Sequence, residues 1–441
     1  MSNDNITLIE PLSGPLSGSC TVPGDKSISH RAVLFSAMAE GTSRLIGVLD
    51  SGDVRASISV VQQLGAEVSL EKQPDGSLSG GVRGWGSRGP IQPDKPLYCA
   101  NSGTTARLLM GILAPWDIEA RIEGDEYLSR RPMRRITAPL MKMGVRFDPA
   151  GAETLPIVEH GTPDLKPIVY DAPMASAQLK TAVLLAGVYA NGTTMLTEPS
   201  PSRNHTELML PEFGVETTAA ERTASVEGPA QMRSCEITVP GDPSSAAFLV
   251  AAALLKPGSA IQIENVSLNT ARTGYLRTLE RMGAEVEIRR TGSAGKEPFG
   301  IISARYSGKL RGCEIPGDKI ASLVDEVPVL ALIAAHAQGL TVFRDAGELR
   351  AKESDRLAAI EAGLSSLGVD AWIEGDDLYV EGDPHLEVGE DMVFDSLGDH
   401  RLAMTWSLLG LTGKHPVGVR DFECVDVSYP DFIDNIERLV R

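Results

Sequence analysis

Helix-like apolar runs recur along the chain: Ala32-Val33-Leu34-Phe35-Ser36-Ala37-Met38, Leu108-Leu109-Met110, Ala182-Val183-Leu184-Leu185 and Val329-Leu330-Ala331-Leu332. The first follows a strand-like Ser19-Cys20-Thr21-Val22 and the turn Pro23-Gly24-Asp25-Lys26-Ser27-Ile28-Ser29-His30-Arg31. Pro-Gly marks the turn, and Asp25 or Ser27 can cap the helix behind it. The same pattern returns as Val239-Pro240-Gly241-Asp242-Pro243-Ser244-Ser245 before an alanine- and leucine-rich helix. It returns again as Ile315-Pro316-Gly317-Asp318-Lys319 before a third. Strand, Pro-Gly-Asp turn and apolar helix thus form one reused supersecondary unit. Only the first copy keeps Lys, Ser and Arg together, so the turn is architecture and its decoration is function.

A second periodicity closes amphipathic helices on a glycine that leads into a strand: Leu64-Gly65-Ala66-Glu67-Val68, Met143-Gly144-Val145-Arg146-Phe147, Phe213-Gly214-Val215-Glu216, Met282-Gly283-Ala284-Glu285-Val286 and Leu367-Gly368-Val369-Asp370. Each glycine suits the left-handed position just past a helix C-terminus. The stretch from Pro430 to Arg441 supplies the same element of a sixth unit cut off by the end of the chain. Six units of about 70 residues, mixing helices and short strands, suggest an α/β (α+β) fold of two lobes with three units each. Cys20-Thr21-Val22-Pro23-Gly24 and Ile237-Thr238-Val239-Pro240-Gly241 resemble one another. Read as crossover strands, they place an N-terminal lobe at 22-240, a C-terminal lobe at 1-21 plus 241-441, and a hinge near 20-23 and 238-241. A cleft between two lobes is a usual ligand site.

Composition narrows the function. At 42% apolar and 23% charged residues the chain reads as globular. It shows no membrane-length apolar run, and neither a secretory nor a transit leader precedes Asn5, so a cytoplasmic protein is expected. Cys20, Cys99, Cys235, Cys313 and Cys424 are scattered without C-x-x-C spacing. They read as small buried hydrophobes, not a disulfide or zinc framework. Seven histidines in no ligand pattern give no metal site. A net charge of −18 disfavours nucleic acid and anionic membranes. An anionic substrate must therefore be held by local lysines and arginines.

Those cations gather at helix starts. Lys26 and Arg31 oppose the macrodipole there, which a bound phosphate or carboxylate explains better than helix stability does. Tyr98-Cys99-Ala100-Asn101-Ser102-Gly103-Thr104-Thr105-Ala106-Arg107 offers a cap at Asn101 or Ser102 and, at Gly103, close approach to backbone N–H groups. Alone it reads as a structural cap. Gly124 to Arg135 holds four arginines in six residues, several of them solvated or paired with Asp125 and Glu126. Ser176 suits an N-cap ahead of Ala177, Gln178 and Lys180, and Arg203-Asn204-His205-Thr206 opens another helix. Asp325-Glu326 precedes an apolar helix. In Glu348 to Leu357, Lys352 and Arg356 are expected at i and i+4 on one helical face, with Glu353 and Arg356 at i and i+3. Leu397-Gly398-Asp399-His400-Arg401 leads into a last helix. Clustered cations with a few carboxylates suit a dianionic phosphate substrate whose carbon or hydroxyl exchanges protons.

The ordered series P-G-D-K-S-I-S-H-R, N-S-G-T-T-A-R, G-D-x-x-L-x-x-R-P-M, S-A-Q-x-K, S-R-x-H-T-E, D-E-x-P, K-E-S-D-R-L and D-H-R-x-A-M, from Lys26 to Arg401, resembles the 3-phosphoshikimate 1-carboxyvinyltransferases (EPSP synthases). The resemblance implies two lobes, each an inside-out α/β barrel of three βαβαββ repeats. It implies transfer of the enolpyruvyl group of phosphoenolpyruvate to the 5-hydroxyl of shikimate 3-phosphate in the shikimate pathway of aromatic amino acid biosynthesis, with release of phosphate, no metal and no cofactor. A monomer acting on small molecules is expected. Carried over by motif, Lys26 touches both substrates, and Ser27, Arg31, Ser176, Ala177, Gln178, Arg203, Asp325 and Lys352 hold shikimate 3-phosphate. Gly103, Arg131, Gln178, Arg356 and Arg401 join Lys26 on phosphoenolpyruvate. Asp325 takes the hydroxyl proton and Glu353 protonates the methylene carbon, giving a tetrahedral intermediate; for that Glu353 must carry a proton at neutral pH. Where many members have a lysine directly before the Ser/Thr-aromatic-Pro, this chain has Val427 before Ser428-Tyr429-Pro430, which leaves one phosphoenolpyruvate contact open. Glycine at 103 implies sensitivity to the phosphonate inhibitor glyphosate. The alternatives are the sister enolpyruvyltransferase acting on UDP-N-acetylglucosamine, whose reactive loop cysteine is missing from Gly124–Met133, and a non-catalytic repeat scaffold.

Overall fold

The computed structural model describes residues 5–151 and 153–440; residues 1–4, 152 and 441, the last of them the end of the expected C-terminal helix, lie outside it. The chain divides into two compact units. One comprises Gly24–Pro240 and Ser293–Glu297, here the N-terminal unit. The other comprises Met1–Pro23, Gly241–Gly292 and Pro298–Arg441, the C-terminal unit. Each has its own hydrophobic core.

The repeating element is the expected strand, helix, strand, helix, strand, strand. In the second repeat, Leu97–Tyr98, Gly103–Leu113, Glu119–Glu123, Arg134–Met143, Arg146–Asp148 and Ile157–His160 follow one another. The first two strands pair in parallel and the last pairs antiparallel between the second and third, so each four-stranded sheet has spatial order first, second, fourth, third. Among the described residues there are five such sheets, together with a three-stranded one. Two strands are taken from distant sequence. Glu236–Thr238 supplies the first strand of the sheet containing Thr42–Val48, and Ser17–Thr21 supplies that of the sheet containing Ala260–Ser267. Among the described residues the sixth repeat has no last strands of its own, and Ile6–Ile9 pairs antiparallel with Val417–Arg420 in their place. The short helix Phe432–Glu437 is the second helix of that repeat, as its sequence position suggests.

The two helices of a repeat are built differently. The first is apolar on all sides and enclosed: every residue of Val327–Ala335 is buried, as are all of Pro243–Leu255 but the last. The second is amphipathic and lies on the surface; in Gly274–Arg281 only Tyr275, Leu276, Thr278 and Leu279 are buried. The glycines closing the second helices, Gly65, Gly144, Gly214, Gly283 and Gly368, all have positive φ, as expected for left-handed caps. A further glycine signal escaped the sequence reading. Gly84 and Gly161 directly follow a fourth strand and Gly228 and Gly382 end one, each where a Cβ would overlap a carbonyl oxygen at the end of the repeat's first helix. Two residues earlier in those strands the side chain is buried, and it is Val82, Val226 or Val380 in three repeats but Glu159 in the other.

Two local expectations need correction. Residues 352 and 353 are not helical: a 3-10 segment ends at Ala351 and the helix Arg356–Ser366 begins only after Asp355, whose carboxylate caps it by accepting from Ala358 N at 3.1 Å. Lys352, Glu353 and Arg356 therefore do not share a helical face. The third Pro-Gly-Asp turn opens only the short helix Gly317–Ile320, and a 3-10 turn intervenes before Val327–Ala335. Of the five cysteines, all free thiols, Cys99 is buried and the other four are half-buried. Burial pushes the Cys20 and Cys99 thiols up to about 12, which makes them poor nucleophiles.

Candidate active site

In the N-terminal unit the enclosed helices Lys26–Met38, Gly103–Leu113 and Ala177–Gly187 are capped by Asp25, Ser102 and Ser176, and their first turns carry the candidate residues. Lys26 is the first helical residue, and its Nζ lies 3.2 Å from Asp53 Oδ2. Ser27 follows it, and its carbonyl accepts from Arg31 Nη1 at 2.9 Å. Arg31 is 3% exposed, and its Nε and Nη2 donate to Thr206 and Thr181 at 2.9 and 2.7 Å. It ties the helix Lys26–Met38 to two other elements of its unit. Gln178 is fixed from both ends, its Nε2 donating to Thr104 at 3.0 Å and its Oε1 accepting from buried Arg107 at 2.7 Å. Arg107 Nη2 also holds the carbonyl of Pro132 at 3.1 Å. Arg131 stands against Gly103: a Cβ there would lie 3.1 Å from its guanidinium carbon. The neighbouring Arg130 and Arg134 are exposed and paired with Glu126 and Glu153. Arg203 lies half-buried two residues before the helix His205–Met209.

Several supports of these groups were not singled out from sequence. Lys180 is buried between Glu198 and Glu207 at 2.9 and 2.8 Å, and Glu198 accepts from the backbone N–H of Ser176 at 2.8 Å. The helix start bearing Ala177 and Gln178 is thereby tied to the loop that carries Arg203. His30, inside the leading motif, is fully buried with Nδ1 2.8 Å from Ser57 Oγ. Burial, and then the charges of Lys26 and Arg31, hold its imidazole well below the ordinary pKa, so it is a neutral packing group.

In the C-terminal unit a second group forms around Arg356, which is 1% exposed. Its Nε and Nη2 meet Asp399 at 2.7 and 3.2 Å, its Nη1 meets Asp325 at 3.1 Å, and its Nη2 meets Glu353 at 2.6 Å. Burial alone would lower the basicity of this guanidinium, but the charges of Asp399, Glu353 and Asp325 outweigh burial and raise it above ordinary arginine. Asp325 also has Lys352 Nζ at 3.9 Å and Arg401 Nη2 at 3.7 Å, while Lys352 reaches Glu348 at 2.8 Å. Arg401 sits in the first turn of His400–Thr412, with Nη1 3.8 Å from Glu326. Val427 is half-buried at the end of a 3-10 segment. The structure thus gathers Asp325, Lys352, Glu353, Arg356 and Arg401 in one unit; in the other, Lys26, Ser27, Gly103, Ser176, Ala177 and Gln178 lie at helix starts, Arg31 one turn further into its helix, and Arg131 just past the 3-10 segment Leu128–Arg130. Asp399 was read only as part of a helix-opening motif; the clue to a second role was a cap carboxylate beside an arginine-rich pattern.

Among the described residues no group of three or more His, Cys, Asp or Glu is placed to hold a metal ion, and no helix is long and apolar enough to cross a membrane. Residues 12–436 match the family model described as EPSP synthase (3-phosphoshikimate 1-carboxyvinyltransferase). A 3-phosphoshikimate 1-carboxyvinyltransferase of Bacillus licheniformis is 42% identical over 427 residues, covering 97% of this chain and 98% of the relative. One of Coxiella burnetii is 43% identical over 419 residues, 95% of this chain and 94% of its own. Among solved structures, an EPSP synthase from Acinetobacter baumannii superposes with a TM-score of 0.86 at 38% identity over 99% of this chain and 98% of its own. An enolpyruvyl transferase from Streptomyces tendae, 19% identical over 98% of this chain and 97% of its own, shares the fold with a TM-score of 0.77.

Proposed function

The chain belongs to the EPSP synthase family, and from that membership we propose which of its residues carry the family's reaction. The enzyme transfers the enolpyruvyl group of phosphoenolpyruvate to the 5-hydroxyl of shikimate 3-phosphate and releases phosphate. The reading as a transferase acting on UDP-N-acetylglucosamine and the reading as a scaffold are not favoured by the family match over nearly the whole chain.

In the proposed assignment, Lys26, Ser27, Arg31, Ser176, Ala177, Gln178, Arg203, Asp325 and Lys352 bind shikimate 3-phosphate. Lys26, Gly103, Arg131, Gln178, Arg356 and Arg401 bind phosphoenolpyruvate. Planar guanidinium groups suit the carboxylate and phosphate of the latter because they donate in bidentate pairs. Asp325 accepts the hydroxyl proton as the oxygen attacks C2 of phosphoenolpyruvate, and Glu353 delivers a proton to the methylene carbon. Loss of phosphate and of a proton from the new methyl group then restores the double bond. The observation that carries this reading is the pairing of Arg356 with both proposed proton-transfer carboxylates, at 3.1 Å for Asp325 and 2.6 Å for Glu353. One guanidinium in that position can orient a substrate carboxylate beside a base and an acid at once. We place the enzyme in the cytoplasm as a monomer that binds no nucleic acid; the net charge of −18 supports the last point.

A coupled phosphate-release assay tests the reading. Phosphate should appear with phosphoenolpyruvate and shikimate 3-phosphate together, and with neither alone. Release with UDP-N-acetylglucosamine in place of shikimate 3-phosphate would transfer the activity to the sister reaction.

A further inference from the structure

Arg356 has few donors left for a substrate while it keeps all its carboxylates. Its guanidinium has five N–H donors, and Asp399, Asp325 and Glu353 together accept at least four of them. These three partners are held very differently. Asp399 has no exposed surface: its Oδ1 accepts from Arg401 N and Arg356 Nη2, and its Oδ2 accepts from Arg356 Nε and Ser354 Oγ. Each oxygen thus accepts twice, and Asp399 cannot leave without exposing a buried charge. Asp325 is 12% exposed and shared with Lys352 and Arg401. The Glu353 side chain is the most exposed of the three at 23%, and it meets Arg356 through a single oxygen.

We propose that the carboxylate of phosphoenolpyruvate takes the place of Glu353 on Arg356 Nη2, and that this exchange is what makes Glu353 an acid. The inference rests on the assignment of Arg356 and Glu353 given above and deepens it. An ion pair at 2.6 Å favours the carboxylate form of Glu353, the opposite of what a proton donor needs. Once displaced, Glu353 has lost its closest cation and stands beside a new carboxylate, and both changes favour the protonated form. Charged groups on the elements that meet at Arg356 include Lys352 and Asp355 beside Glu353 in sequence, Asp325 on the 3-10 turn Val324–Glu326, and Asp399 and Arg401 at the head of His400–Thr412. Of these, Asp325 and Asp399 remain on Arg356 and so keep its charge occupied. Glu353 then takes one proton from solvent and passes that proton to the methylene carbon while the C–O bond forms at C2. The acid is armed by the substrate that consumes its proton.

The test is the pH dependence of initial rates between pH 7 and 9, where the substrate phosphates stay dianionic, at saturating shikimate 3-phosphate. Because binding requires a proton that the free enzyme lacks, kcat/KM for phosphoenolpyruvate should fall about tenfold per pH unit while kcat stays within about threefold. In Glu353→Gln the slope of kcat/KM should vanish along with most of the turnover. A wild-type kcat/KM that is flat, or that falls in parallel with kcat, overturns the exchange: the acid would then hold its proton before the substrate arrives. Should Glu353→Gln keep both turnover and slope, the acid assignment itself fails. Should it lose turnover while the wild-type profiles break together, the assignment stands and the exchange falls.

Discussion

Replacing Gly103 by alanine puts one methyl group against two arginines, Arg131 of the proposed phosphoenolpyruvate site and Arg107 behind it. The added Cβ would lie 3.1 Å from Arg131 Cζ, from Arg131 Nη1 and from Arg107 Nη1. Ordinary carbon contacts begin near 3.5 Å, so something must yield by a few tenths of an ångström. Arg107 is 2% exposed and pinned between Gln178 Oε1 and the carbonyl of Pro132, so a shift of half-buried Arg131 is the expected response. Two effects follow. In the proposed assignment, displacing Arg131 would weaken phosphoenolpyruvate and glyphosate alike. The methyl group itself also intrudes on a bound ligand, and the longer inhibitor has less room to retreat than the substrate. Overpacking of this kind costs about 1–3 kcal/mol, equivalent to roughly 5- to 150-fold in affinity. The wild type should therefore be inhibited by glyphosate in competition with phosphoenolpyruvate. Gly103→Ala should raise the inhibition constant at least about tenfold more than the Michaelis constant for phosphoenolpyruvate. Measuring both constants on both proteins decides it. Equal losses would mean that Arg131 displacement is the whole effect and direct intrusion on the inhibitor is absent. An insensitive wild type would show that Gly103 does not control access.

Glu353→Gln should lower turnover by roughly 10²-fold or more, the usual loss for a general acid, with phosphoenolpyruvate binding nearly intact; wild-type kcat would refute the role. Asp399→Asn removes the innermost counter-charge of a buried arginine and should cost about 3–5 kcal/mol of stability, as breaking a buried pair does. It should also raise the Michaelis constant for phosphoenolpyruvate, and denaturant titration beside steady-state kinetics reads both. Glu159 is fully buried, neither carboxylate oxygen has a hydrogen-bond partner, and burial holds its pKa well above the ordinary value of 4.5. A raised acid binds more protons folded than unfolded, so its contribution worsens as pH rises above the unfolded value. Glu159→Val, the residue its sister repeats carry, should raise the unfolding midpoint, and more at pH 8 than at pH 5. A gain that shrinks with rising pH would place an unrecognised cation beside the carboxylate.

Much of the architecture was legible because it is written locally. Asp25, Ser102, Ser176, Asp242 and Asp399 each cap the enclosed helix that follows, and side-chain capping leaves a short, readable signature. The repeat count came from glycines whose conformation few other residues adopt. What escaped was long-range. Nothing around Ile6–Ile9 says that it completes a sheet with Val417–Arg420, because strand pairing depends on a partner, not on a neighbour. The regular spacing of Lys352, Glu353 and Arg356 suggested a helical face, yet Asp355 competes by capping the helix behind them, as a short polar side chain can.

Cations at the helix starts of this enzyme are kept there by the aspartates that precede them. Lys26 and Arg356 each occupy the first position of a helix and Arg401 the second, where the macrodipole disfavours positive charge. Each follows an aspartate cap, Asp25, Asp355 or Asp399, whose carboxylate serves the free N–H groups of that turn. The cap aspartate stabilises the helix end and offsets the unfavourable charge within the same few residues. Asp399 goes further: it caps one helix and holds Arg356 at the start of another, 43 positions away in sequence. A cap read only for its own helix therefore misses half of what it does. The two jobs also constrain one another, since Asp399→Ser could keep the cap but would leave Arg356 with only Asp325 and Glu353 as carboxylate partners. If the clamp and the cap are separable, Asp399→Ser should keep the helix start and lose phosphoenolpyruvate affinity, whereas equal losses of structure and affinity in Asp399→Ser and Asp399→Ala would show that the carboxylate matters to Arg356 no more than to its own helix.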